Sequence, residues 1–208
     1  MSTFAPLTEI PDTYTTIAAA SEGLYKEKGS RFLAFAYPVA DAEEVRQRME
    51  ALKKRFYDAR HHTYAYVLGY RKEQFRLNDD GEPSGTAGRP IYGQIQALDL
   101  TFTMVAVVRY FGGIKLGTGG LTKAYKTAAA EALQAATTVC RPVLVPLSIA
   151  CGYDKLSLVM RRLKEVQVSP QQPQMSDVCR LEIAVPKAVV EAIRALNQEP
   201  GIQVQAVS

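Results

Sequence analysis

Cysteine, histidine and long apolar runs are all scarce in this chain of 208 residues. The three cysteines, Cys140, Cys151 and Cys179, are odd in number and far apart, with no CxxC pair and no histidine beside them. Neither a disulfide framework nor a zinc site is therefore read, and a reducing compartment fits. The two histidines, His61 and His62, are adjacent. On a strand they point to opposite faces, so they do not both serve one site, and one of them buried and hydrogen-bonded is the plainer outcome. Stretches of low charge, such as residues 91–108, are too polar and too interrupted to span a membrane. Residues 1–20 have no basic start, and Glu9 and Asp12 break their apolar positions, so no secretory signal is read and a cytoplasmic protein is expected. Strong charge imbalance is missing too: the net charge of +4 permits nucleic-acid binding without demanding it. With 47% hydrophobic and 22% charged residues, the composition is globular, which excludes disorder over most of the chain. No motif calls for a cofactor, and oligomeric state is not legible.

What is present is unevenly spread. Of 18 Phe and Tyr residues, 17 precede position 139 and only Tyr153 follows it. Arg141-Pro142 and Pro146 punctuate the same region, so two domains are expected, over residues 1–138 and 143–208. In the first, residues 13–19 and 31–39 read as strands. Asp41 can cap a helix through Phe56 with Val45, Met49 and Leu52 on one face. His62 to Tyr70 alternates like a strand, Pro90 starts a short helix through Leu98, Phe102 to Phe111 is a buried strand, and Leu121 to Thr137 is a helix. The second domain reads β-α-β-β-α-β, with strands at 143–151, 167–172, 178–185 and 202–207. Its first helix is capped by Asp154, with Leu156, Met160 and Leu163 inward. Its second opens at Pro186, with Val189, Ile193 and Leu196 inward. That order is the ferredoxin-like arrangement, which hosts many functions and identifies none.

Chemistry concentrates in RYFGGIKLGTGGLTKAY, Arg109 to Tyr125. Five glycines, Gly112, Gly113, Gly117, Gly119 and Gly120, fall within nine residues between a buried strand and a helix. Glycine serves where φ is positive, as expected at Gly119, or where a ligand must approach the backbone. The N–H groups of Gly119, Gly120 and Leu121 are expected to face outward at the positive end of the helix dipole, a geometry that suits anions. Arg109, Lys115, Lys123 and Lys126 add four positive charges, with no acid between Met104 and Thr127. This points to phosphate, of a nucleotide or of an RNA backbone; a packing loop with solvated lysines is the structural alternative. Thr118 stands where a P-loop requires Lys, and the dinucleotide fingerprint lacks its last glycine.

A second segment, NDDGEPSGTAGRP, crowds Asp79, Asp80 and Glu82 into four residues and ends at Arg89 and Pro90. A divalent-metal site is one reading, but the spacing is not that of an EF-hand. A structured turn whose acids pair with the basic loop is the plainer one, and no metal site is assigned. Ser84 is not in a nucleophile elbow, so no hydrolase is assembled with His61 or His62. Lys53 to Arg76 carries seven basic residues interleaved with aromatics, as single-stranded nucleic acid prefers, although Tyr64 and Tyr66 can equally line one sheet face.

The two motifs together, with DARHHTYAYVLG at Asp58 to Gly69, strongly resemble the IMPACT family in its bacterial YigZ-like branch. The resemblance spans about residues 20 to 138. It implies an α+β first domain like domain two of ribosomal protein S-five, followed by a ferredoxin-like domain similar to one in elongation factor G. It also implies a link to translation: eukaryotic relatives compete for the activator of a stress kinase that phosphorylates an initiation factor. They carry a companion domain that this chain lacks, and no catalytic residue carries over. Residues and resemblance lead to a non-enzymatic, translation-associated binding protein that contacts RNA or a ribosome-associated partner through the glycine-rich loop. Asp79, Asp80, Glu82, Arg89, His61 and His62 form its supporting surroundings. The rival is an enzyme acting on a phosphorylated small molecule at the same loop. Convergence of carboxylates and loop in a hollow favours the rival; an open basic groove favours RNA.

Overall fold

The structure, a computed structural model, describes residues 10–170, 174–175 and 178–207. The chain divides into two compact units, Tyr14–Arg141 and the chain from Pro142 onward together with the described residues before Tyr14. Both combine helices with antiparallel sheet.

The first unit runs β1 (Thr13–Ile17), β2 (Ser21–Glu27), β3 (Ser30–Pro38), α1 (Ala42–Arg55), β4 (His61–Leu68), β5 (Gln74–Asn78), α2 (Gly88–Ala97), β6 (Thr103–Tyr110), α3 (Gly117–Gln134) and β7 (Thr138–Pro142). Strands β2 to β6 form one sheet in the order β2-β3-β6-β4-β5, while β1 pairs with β7. The apolar run of β6 lies at the centre, and every residue from Thr103 to Arg109 is buried. Its alternate side chains feed two cores. Val105 and Val107 pack with Phe32, Ala65 and Tyr125 beneath α2 and α3. Met104, Ala106 and Val108 pack with Phe35 and the buried stripe Val45, Met49 and Leu52 of α1. Asp41 caps α1 by accepting from the N–H of Glu44 at 2.8 Å, and acids in the first turn and bases in the last complement the helix dipole.

The second unit runs β8 (Leu144–Cys151), α4 (Leu156–Glu165), β9 (Gln174–Met175), β10 (Cys179–Pro186), α5 (Val190–Arg194) and β11 (Ile202–Ala206), with sheet order β11-β8-β10-β9. Burial alternates along β10, and its inward side chains meet Val159 and Leu163 of α4 and Val190 and Ile193 of α5.

Several expectations shift. Strands β2 and β5 are additions: three of seven positions in β2 and four of five in β5 are exposed, and no position of either is fully buried. Helix α2 starts two residues before Pro90, and α3 starts four before Leu121. In the second unit, residues 167–170 are turn and coil, and the short strand lies at Gln174–Met175; the rest of the expected strand falls outside the described residues. Asp154 sits in a short 3₁₀ turn ahead of α4 and is not its cap. Met160 is 40% exposed, because the inward stripe of α4 runs through Val159 and Leu163 instead.

Candidate functional site

Topology gathers the chemistry at one end of the first unit's sheet. In the antiparallel β4–β6 pair, His61 lies opposite Arg109, so β4 begins where β6 ends. Strand β5 pairs Asn78 with Tyr64, which returns residues 79–87 to the same end. Residues 111–116 then lead from β6 into α3.

The three carboxylates of residues 79–82 are all engaged internally. Asp79 accepts from the backbone N–H groups of Gly85 at 2.8 Å, Ala87 at 3.0 Å and Gly88 at 2.8 Å. It therefore caps α2 from outside the helix, where the Ala87 N-cap has no side-chain acceptor. Asp80, at φ 43°, accepts from the His62 N–H at 2.6 Å and donates its own N–H to Asn78 Oδ1 at 2.8 Å. Glu82 is buried and accepts at Oε1 from Arg109 Nη1 at 2.6 Å and from the Tyr125 hydroxyl at 2.7 Å. Burial and the Glu82 hydrogen bond push the Tyr125 phenol far above its ordinary range, so it stays a donor. The expected pairing of acids with the basic loop thus holds for Glu82 alone. Asp79 and Asp80 bind backbone.

Arg109, one of the four positive charges expected at the loop, lies inside the protein. It is 6% exposed and clamped by Glu82, yet its Nε is buried without a hydrogen-bond partner. The two histidines do face apart. His62 is buried, with Nε2 donating to the Phe56 carbonyl at 3.1 Å, and burial lowers its pKa. His61 Nδ1 lies 2.8 Å from the Asp80 carbonyl, an acceptor only, so Nδ1 carries the proton. Its Nε2 is left facing Glu82 Oε1, 3.8 Å away.

The glycines separate by role. Gly112 is packed: a Cβ there would lie 2.0 Å from the Gly29 carbonyl carbon. Gly113 and Gly117 take positive φ, at 87° and 69°, with nothing within 4 Å of a Cβ. Gly119 is helical with open space around it, which corrects the expectation of positive φ there. Leu116 is the N-cap of α3 and has no side-chain cap. The free donors are consequently those of Gly117, Thr118 and Gly119, while those of Gly120 and Leu121 close the first helical turns.

A cleft of about 460 Å³ joins Arg60, His61, Glu82, Arg109, Lys115, Gly117 and Thr118, walled by Phe111, Leu116 and Leu121. Lys123 and Lys126 lie outside its lining, exposed on the outer face of α3, and Arg89 is exposed at the start of α2. Sequence reasoning passed over Arg60 and Tyr125 as site residues. Both stand inside the recognised motifs, Arg60 beside His61 and Tyr125 three residues after Thr122, which is the signal that could have raised them. A second hollow of about 420 Å³, around Tyr14, Tyr70 and Phe102, contains none of the predicted residues. Among the described residues, no group of three or more His, Cys, Asp or Glu is arranged to hold a metal ion. No helix among them is long and apolar enough to cross a membrane.

The Impact N-terminal domain family matches residues 28–133, which include every residue of the cleft. The IMPACT family member YvyE of Bacillus subtilis is 36% identical over 155 residues, 74% of this chain and 71% of that protein. The member YigZ of Escherichia coli is 34% identical over 170 residues, 81% of this chain and 83% of its own. A crystal structure titled only as a hypothetical protein aligns at a TM-score of 0.76 and 30% identity, covering 96% of this chain and 99% of that one.

Proposed function

The chain belongs to the IMPACT family, and on that premise we propose that it is a translation-associated binding protein, not an enzyme, which contacts RNA or a ribosome-associated partner through the basic surface built on the glycine-rich segment. One observation carries the reading. Arg60, Arg89, Lys115, Lys123 and Lys126 are exposed and take part in no ion pair among the described residues. The nearby acids of residues 79–82 are turned inward, so this positive charge is uncompensated at the surface and available to phosphate. The resemblance supplies the link to translation, through the role of its eukaryotic members. Two fold assignments belong to the same proposal: a first unit like domain two of ribosomal protein S-five, and a ferredoxin-like second unit resembling one in elongation factor G. The strand order β11-β8-β10-β9 supports the latter.

Co-sedimentation with ribosomes and RNA from the native cell tests the proposal. Wild type should pellet with one of them at low salt, and Lys115→Ala/Lys123→Ala/Lys126→Ala should stay in the supernatant. Equal behaviour of the two proteins would remove the basic surface from the account. A second reading, an enzyme on a phosphorylated small molecule, is favoured by one feature: carboxylate, histidine and loop converge in a concave cleft.

A further inference from the structure

We propose that the cleft between His61, Arg109 and the start of α3 binds a single phosphate monoester group: the terminal phosphate of an RNA, or that of a small molecule. The inference rests on the reading above that this segment receives anionic ligands, and it narrows which anion. Charge comes first. Arg60, Arg109 and Lys115 face one carboxylate, Glu82, so the cleft holds two uncompensated positive charges. A monoester carries about −1.5 to −2 at neutral pH, whereas each backbone phosphodiester carries only a single charge.

Donors come second. Arg109 has five N–H groups, of which only Nη1 has a hydrogen-bond partner among the described residues, while the guanidinium carbon lies 5.4 Å from the Phe32 ring and 5.6 Å from the Phe111 ring. Glu82 fixes the Nη1 arm, and Tyr125 fixes Glu82 in turn, so the guanidinium is held in place before any ligand arrives. Nε is closed to solvent, which leaves Nη2 as the arm of this buried guanidinium that a ligand in the cleft can reach. Gly117 and Thr118, whose N–H groups are uncapped, line the same cleft, and nothing lies within 4 Å of where a Cβ of Gly117 would stand. Phe111 and Leu116 supply an apolar wall for the esterified group, and about 460 Å³ is within the usual range of small-molecule sites.

Calorimetric titration of the full chain tests this with four probes: inorganic phosphate, adenosine 5′-monophosphate, a 5′-phosphorylated RNA decamer, and the same decamer with a 5′-hydroxyl. Arg109→Ala leaves Glu82 buried without its cation and is unsafe as a probe. The exposed residues Lys115 and Arg60 are not. Adenosine 5′-monophosphate or the 5′-phosphorylated decamer should bind at one site, and Lys115→Ala or Arg60→Ala should weaken it about tenfold, the size of a lost hydrogen bond to a charged group. Lys164→Ala, an exposed charge on α4 of the second unit, should leave phosphate and adenosine monophosphate binding unchanged. Preference for the mononucleotide assigns a small molecule; preference for the phosphorylated decamer over its hydroxyl form assigns an RNA end. If the two decamers bind equally while phosphate and the mononucleotide do not bind, the cleft proposal fails and the RNA surface stands. If the mononucleotide binds while neither decamer does, the RNA reading fails and the cleft stands. Unchanged monoester affinity in both Lys115→Ala and Arg60→Ala overturns the proposal.

Discussion

Residues 79–88 and 112–120 meet at one end of the same sheet, and they spend their polar groups in opposite directions. In the first segment every carboxylate is turned to an internal donor: Asp79 to three backbone N–H groups, Asp80 to His62, Glu82 to Arg109 and Tyr125. In the second, Lys115 and the N–H groups at the head of α3 are left without internal partners. Similar density of charge and glycine thus produces a brace in one case and an open surface in the other. Density of charge in a sequence does not distinguish the two; the availability of a nearby internal partner does.

The comparison is most severely tested at Glu82. Glu82→Ala should cost about 3–5 kcal/mol in urea unfolding, because Arg109 is then buried without its counter-charge. A loss below about 1 kcal/mol would contradict the bracing role, that being the range of an exposed pair. Asp79→Ala should cost less, about 1–3 kcal/mol, through unsatisfied donors at the head of α2. Hydrogen exchange at Ala87 and Gly88 should rise with it. Within the open segment the glycines sharpen the contrast. Gly112→Ala should destabilise by about 1–3 kcal/mol through overpacking against Gly29 and Ser30. Gly119→Ala meets open space in a helix and should be neutral or stabilising by up to about 1 kcal/mol. The smallest effect concerns His62. Burial lowers its pKa from 6.5, so the unfolded chain takes up the proton more readily than the folded one. Its contribution is full above that unfolded value and is lost as pH falls toward the lower folded value. His62→Gln, which keeps a donor for the Phe56 carbonyl, should give a flatter stability profile through that window.

Local signals were legible and long-range ones were not. The Asp41 cap and the stripe Val45, Met49 and Leu52 define α1 from a few neighbouring residues, and the valine run of β6 announces its own burial. By contrast, α2 begins at Gly88 because Asp79, nine residues upstream, supplies the acceptor. Strand β5 carries a weak signal, since its two alternating apolar residues, Phe75 and Leu77, stay exposed at the sheet edge, where it pairs only with β4. At the site, the glycine-rich and acidic segments stood out by composition. That Arg109 and Glu82 would neutralise each other depends on β4, β6 and α3 meeting, and 27 residues separate the pair in sequence.

The central claim is that the open segment presents uncompensated positive charge to phosphate, and salt dependence measures it most directly. Affinity for single-stranded RNA should be followed across a salt series for wild type and Lys123→Ala. Wild type should bind at low salt with a steep negative log–log slope, and Lys123→Ala should flatten that slope by about 0.7, the contribution of one single-strand phosphate contact. Identical slopes and affinities for the two proteins, or no binding by either at low salt, would contradict it.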